Sequence, residues 1–72
     1  MKHAIELTRR ALYDQSEVSQ SERFRAAAGA WYAAEKESGA DVYRCHMLGN
    51  LCQSAMAGRL PEVECLRREF PE

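Results

Sequence analysis

Four residues with side chains that could bind a metal lie in the C-terminal half of the chain, at Cys45, His46, Cys52 and Cys65. On one helix, Cys45 and Cys52 would be separated by about 10 Å, because each residue advances the helix by about 1.5 Å. That separation is too large for two thiolates on one tetrahedral zinc ion. No CxxC or HxxxH pair is present. We therefore interpret the cysteines as small apolar core residues, and we predict no metal and no cofactor.

A nucleophilic enzyme needs a cysteine or serine beside a positioned base. The two histidines are His3, close to the first residue, and His46. Cys45 and His46 are neighbours in sequence, and adjacent positions of a helix do not face each other. The glycines are scattered singly, so there is no glycine-rich phosphate loop. We predict that the protein is not an enzyme.

Composition restricts the partners and the location. The net charge is -1, which gives no strong field to attract nucleic acid or an anionic membrane. The longest apolar run before residue 45 is Ala26–Ala34, far shorter than the roughly 20 residues of a membrane span. No apolar signal-peptide core follows Met1. We expect a cytoplasmic protein that has free thiols and does not interact with a membrane.

The segment Cys45–Gly58 contains no Asp, Glu, Lys or Arg, although 29% of the chain is charged. A helix through this segment has almost no charged face for water. Chains below roughly 70 to 80 residues also bury little apolar area on their own. We therefore expect this segment to lie at the centre of an assembly that includes a second copy of the chain or another protein.

Residues typical of helix starts and helix ends divide the chain into four predicted helical segments. Apolar spacing predicts a first helix over residues 3–14. Ser19, with Glu22 three residues later, has the form of a capping box, and Ser16 is a rival cap. The second helix is predicted to continue to about Ser38, before Gly39.

Residues at the expected helix ends also predict the third and fourth helices. Asp41 is the predicted cap of a third helix that continues to about Ala57 and stops at Gly58. Pro61 suits the first position of a fourth helix, with Val63, Leu66 and Phe70 as its apolar stripe. The predicted fold class is all-α: one domain over residues 1–72, a small antiparallel bundle of three to four helices that forms a homodimer.

The third helix supplies the predicted self-association residues. Its apolar arc covers about half of the helix circumference, which is wide enough to contact two neighbours. Arg44 points into the same arc. It either extends to solvent along its stem or pairs across an interface with Glu35 or Glu37 of another chain. We predict a self-association seam at Arg44, Met47 and Leu51.

The aromatic residues separate into core and surface. Helical spacing places Trp31 in the core with Phe24, whereas Tyr32 lies at the edge of the same helix. Tyrosine is over-represented among interface hot spots. We predict that Tyr32, Tyr43 and His46 face a partner protein.

These observations favour a non-enzymatic protein-protein interaction module: a small adaptor, inhibitor or regulator that occupies a partner's surface. Chains of this size are common among phage and plasmid accessory genes. The alternative is a dimeric helix-turn-helix-like DNA-binding regulator that reads DNA with Tyr43–Met47. Phosphate contacts normally recruit several Lys or Arg residues, and this helix offers one, so nucleic acid is the less favoured partner. Arg9, Arg10, Arg23 and Arg25 supply a basic patch if the first two helices bring them together.

Overall fold

The computed structural model describes residues 1–72, the whole chain, and all of its regular secondary structure is helical. The four helices are α1 (Lys2–Tyr13), α2 (Gln20–Ala34), α3 (Val42–Met56) and α4 (Leu60–Glu69). They pack into one bundle, so the predicted all-α fold is confirmed with four helices. Homodimerisation stays a prediction.

Side-chain caps begin the two central helices at the predicted residues. Ser19 Oγ accepts a hydrogen bond of 3.2 Å from the Glu22 backbone N–H, and Asp41 Oδ1 accepts one of 3.0 Å from Arg44 N–H. Each bond satisfies one of the backbone donors that a helix start leaves free. The capping box is only half formed, because the Glu22 carboxylate lies 3.8 Å from Arg25 instead of bonding back to Ser19.

α2 ends at Ala34, four residues before the predicted end at Ser38. The backbone N–H groups of Lys36 and Glu37 bond to carbonyls three residues back, at Ala33 and Ala34. These tighter turns replace the α-helical pattern before the chain reaches Gly39. Gly39 has a φ of 79°, a left-handed conformation that glycine adopts without steric cost.

α2 and α3 form an antiparallel pair along their whole length. Ser21, in the first turn of α2, donates a hydrogen bond to the carbonyl of Met56 at the end of α3. At the other end of the pair, Glu35 contacts His46. α1 lies antiparallel to α2 on its other side, with the Met1 ammonium 3.2 Å from a Glu37 carboxylate oxygen.

α4 folds back over α3 and reaches α1 at its C-terminal end. The predicted stripe of Val63, Leu66 and Phe70 is buried. The Phe70 ring centroid lies 6.1 Å from that of Trp31, and Tyr13 Oη donates a hydrogen bond of 2.7 Å to the Phe70 carbonyl. The last helix therefore closes the bundle between α3 and α1.

Trp31 lies at the centre of the core, as predicted. Its indole N–H is buried with it and bonds to a polar side chain of α1. Its indole Nε1–H donates a hydrogen bond of 2.8 Å to Thr8 Oγ1, and the Thr8 hydroxyl donates in turn to the Ala4 carbonyl at 2.8 Å. Thr8 is the only fully buried polar residue of the chain. Its burial was not predicted from the sequence, because the reason for it lies on another helix.

None of the four helices is both long and apolar enough to cross a membrane.

Candidate interaction surface

Tyr32 lies directly against the backbone of α3 at Gly49. A Cβ atom built at Gly49 would be 2.6 Å from Cε1 of the Tyr32 ring, closer than real Cβ contacts allow. Only glycine at this position leaves room for the ring. An isolated glycine inside a helical pattern is only a weak sequence signal for such a contact, because Gly29, the other helical glycine, has nothing within 4 Å of its Cβ position.

The Tyr32 hydroxyl lies between two amide side chains of α3. It is 2.6 Å from Asn50 Oδ1 and 2.9 Å from Gln53 Oε1, and its single proton is donated to one of them at a time. Burial raises the pKa of Tyr32, and the charge of Glu35 and the Cys52 thiol raise it further. The phenol therefore stays neutral, as a hydrogen-bond donor, well into the alkaline range.

His46 extends the same surface toward the start of α3. Its Nδ1 lies 2.7 Å from Glu35 Oε1, and an ionised carboxylate only accepts hydrogen bonds, so Nδ1 carries the proton. The His46 ring centroid is 5.9 Å from that of Tyr32, with the rings tilted by 53°. Glu35 and Tyr32 thus hold the imidazole from two sides.

Tyr43 lies one helical turn before His46 and is 81% exposed. Residues three apart on a helix are neighbours on its surface, so Tyr43 and His46 belong to one side of α3. The structure thus brings the three predicted partner-facing residues onto one side of the α2–α3 pair. We name this surface the tyrosine–histidine face, and it consists of Tyr32, Tyr43, His46, Asn50 and Gln53.

A shallow depression of about 230 Å³ lies beside Tyr32, lined in part by small residues of α2. These are Ala28 and Gly29, and nothing lies within 4 Å of the position where Gly29 would carry a Cβ atom. Gln53 and Met56 of α3 and Arg25 of α2 complete the lining. The tyrosine–histidine face therefore ends at a recess that suits a single inserted side chain.

Arg44 pairs within its own chain. Its guanidinium lies 3.2 Å from Glu69 Oε2 of α4, and both side chains are partly exposed. Glu35 and Glu37, the carboxylates considered for an interchain pair, are bound to His46 and the Met1 ammonium of the same chain. The intrachain pair with Glu69 was not predicted, and it supplies the carboxylate that a second copy was expected to provide.

Met47 and Leu51 lie on the flank of α3. Both are half-buried and pack against the core. The centre of the apolar arc is fully buried within the chain, at Cys45, Leu48 and Cys52. The other helices of the same chain therefore cover most of the arc, and only its flank is left for a second copy.

The three cysteines lie in different surroundings and form no metal centre. Cys45 and Cys52 are buried, and Cys65 is half-buried. No group of three or more His, Cys, Asp or Glu side chains is placed to hold a metal ion. Burial raises the pKa of the Cys52 thiol to about 11, and the nearby Thr8 hydroxyl acts in the opposite direction.

Cys52 should therefore be inert toward alkylating agents in the folded protein. At pH 8, iodoacetamide should modify Cys65 first and leave Cys52 unmodified, because the thiolate is the reactive species. Peptide mass spectrometry over time measures the order of modification, and urea-unfolded protein, in which all three thiols react, is the control. Native Cys52 reacting as fast as Cys65 would contradict its placement in the core.

The comparisons with known proteins return no match. No protein-family model, no curated protein and no solved structure is detectably similar to this chain.

Proposed function

We propose that the protein is a small, non-enzymatic protein-protein interaction module, an adaptor, inhibitor or regulator that binds a partner through the tyrosine–histidine face. The observation that carries the proposal is the placement of two tyrosines and a histidine side by side on one surface. Tyr32 is fixed on Gly49, whereas Tyr43 projects into solvent and forms no hydrogen bond within the chain.

The arrangement has the properties of a binding surface that is formed before its partner arrives. Tyr32 and His46 are held by neighbouring side chains, so little conformational entropy remains to be lost on association. Tyr43 offers a large amphipathic ring for burial in a partner. An exposed tyrosine beside an ordered one matches the hot-spot composition of protein interfaces.

The absence of charge from Cys45 to the end of α3 favours a particular kind of partner. Residues 45–58 carry no formal charge, and the one side-chain hydrogen bond of His46 is with Glu35. Binding through apolar contacts and neutral hydrogen bonds is only weakly screened by salt. We therefore propose that the partner surface is apolar and uncharged. We also propose that the complex forms in the cytoplasm.

The alternative of a dimeric DNA-binding regulator has less support. Helix-turn-helix pairs cross at about 90–120° after a short turn, whereas α2 and α3 here are antiparallel along their length. Three of the four arginines of the first two helices contact different groups. Arg9 donates to the Pro71 carbonyl, and Arg10 and Arg25 lie within 4 Å of Glu6 and Glu22.

Affinity capture with an immobilised Tyr43→Ala variant tests the proposal. The wild-type chain should retain a specific partner, and Tyr43→Ala should lose at least about tenfold in affinity, the effect of removing a hot-spot residue. Leu60→Ala is the matched control, because Leu60 is 72% exposed on α4, in another part of the surface. Circular dichroism should show unchanged helicity for both variants.

Salt dependence of the reconstituted complex separates the two functions. Binding of the purified partner should change by less than about threefold as ionic strength rises, whereas phosphate contacts lose several orders of magnitude. Equal capture by wild type and Tyr43→Ala would show that the tyrosine–histidine face is not the binding surface. A steep salt dependence on duplex DNA would favour the regulator.

Sedimentation at several concentrations tests the predicted homodimer, with Leu51→Asp as the variant that should dissociate it. A monomer at every concentration would contradict the self-association seam.

A further inference from the structure

A crevice of about 400 Å³ lies between α1, the connection to α2 and the first turns of α2. This volume is within the range of small-ligand sites. Its apolar lining comes from Leu7, Val18 and Ala26, and Val18 is 54% exposed although its side chain is purely apolar. The crevice lies on the opposite side of α2 from α3.

Four charged residues line the crevice, and two of them are neutralised elsewhere. Arg10 lies 3.7 Å from Glu6, one turn earlier on α1. Glu22 lies 3.8 Å from Arg25. The remaining two, Arg23 and Asp14, make no ion pair with each other or with any other residue.

Arg23 is held in place without a counter-charge. One guanidinium nitrogen, Nη1, donates to the Val18 carbonyl and lies 3.5 Å from Ser16 Oγ. Its Nε–H is buried and has no acceptor, the only side-chain nitrogen or oxygen in the chain in that position. A half-buried cation that lacks a counter-charge is unfavourable, so an anion that pairs with the Arg23 guanidinium in the crevice gains more than it would at an ordinary surface arginine.

We propose that this crevice binds a small dipolar carboxylate with an apolar side chain. The ligand carboxylate pairs with Arg23, a ligand N–H group donates to Asp14, and the apolar group lies on Leu7, Val18 and Ala26. A bare anion is disfavoured by Asp14, and a bare cation by Arg23. An apolar amino acid and the C-terminal residue of a peptide both supply this chemistry.

Backbone NMR titrations with three leucine compounds test the site. N-acetyl-leucine should give saturable shifts at residues around the crevice, with a dissociation constant on the order of 1 mM for a ligand of this size. N-acetyl-leucinamide, which lacks the carboxylate, should bind at least about tenfold more weakly. Free leucine binding more tightly than N-acetyl-leucine identifies a free amino acid as the ligand, and the reverse order identifies a peptide C-terminus.

Substitutions at Arg23 and Asp14 test which protein charges contact the ligand. Arg23→Gln should lower the affinity for N-acetyl-leucine at least about tenfold, whereas Arg68→Gln, which removes an exposed arginine of α4, should leave it unchanged. Asp14→Asn should weaken the binding of free leucine more than that of N-acetyl-leucine, because only free leucine carries an ammonium group. This second variant keeps the test decisive if Arg23→Gln fails to fold.

Three results would overturn the proposal. The first is the absence of saturable shifts at the crevice with any of the three compounds. The second is equal binding of N-acetyl-leucine and N-acetyl-leucinamide. The third is unchanged affinity in a folded Arg23→Gln variant.

Discussion

Replacement of Trp31 by alanine should unfold a large part of the protein population at room temperature. Removing a buried tryptophan costs about 3–5 kcal/mol, because apolar contact is lost and a cavity remains. A chain of 72 residues has a total stability of roughly 4–11 kcal/mol at the usual value per residue. Trp31 is 1% exposed and contacts both the Thr8 hydroxyl and the Phe70 ring, so one substitution weakens three helices together.

Urea denaturation followed by circular dichroism measures this effect, since Trp31 is the only tryptophan and its removal abolishes the tryptophan fluorescence. Tyr43→Ala is the control, because an exposed position of this kind changes stability by about 0.5 kcal/mol or less. A Trp31→Ala variant as stable as the control would show that the bundle is not organised around this side chain.

Thr8→Val separates the polar part of the Trp31 effect from the apolar part. Valine has nearly the same shape as threonine but leaves the indole N–H without an acceptor in the core, which costs about 1–3 kcal/mol. The same denaturation experiment applies. A loss below about 0.5 kcal/mol would mean that the Trp31–Thr8 bond contributes little.

Gly49→Ala should change the free energy of unfolding in opposite directions in the wild-type protein and in a Tyr32→Ala variant. In the wild-type protein the new Cβ meets the Tyr32 ring, and overpacking of about 1–3 kcal/mol outweighs the gain of about 1 kcal/mol that alanine brings to a helix interior. In a Tyr32→Ala background the ring is gone and only the gain remains. The substitution should therefore destabilise the first protein and stabilise the second.

Gly29→Ala is the matched control for this reversal. Gly29 is also inside a helix, but nothing lies within 4 Å of its Cβ position, so alanine should stabilise the protein by up to about 1 kcal/mol in both backgrounds. A double-mutant cycle from urea denaturation gives the coupling between Tyr32 and position 49. Zero coupling would contradict the close contact between the Tyr32 ring and Gly49.

Gly49→Ala should also weaken partner capture, because it displaces the Tyr32 ring from the tyrosine–histidine face.

The fold follows largely from signals that lie within a few residues of each helix end. Ser19 and Asp41 cap their helices with their own side chains, and Gly58, two residues after the end of α3, adopts the left-handed conformation that ends a helix. These interactions are local, so the order of residues is enough to predict them. The end of α2 was placed four residues too late, because the i−3 backbone bonds after Ala34 have no side-chain signature.

The features that were not predicted depend on residues far apart in sequence. Thr8 is buried because Trp31, 23 positions later, needs an acceptor. Arg44 pairs with Glu69, 25 positions later, because α4 folds back over α3. Helical periodicity assigns a residue to a face, but it does not specify which residue of another helix meets it.

The contacts between α1 and the end of α4 bear on the order in which the molecule folds. Tyr13 and Arg9 donate hydrogen bonds to the carbonyls of Phe70 and Pro71, joining residues 57 and 62 positions apart, whereas α1 with α2, α2 with α3, and α3 with α4 are neighbours along the chain. Bringing distant segments together carries the largest loop-closure cost, so sequence-local pairs form rapidly and distant ones later. Docking of α4 on α1 is then the last step on the route to the native state, and substitutions at Tyr13 should accelerate unfolding while leaving the refolding rate nearly unchanged.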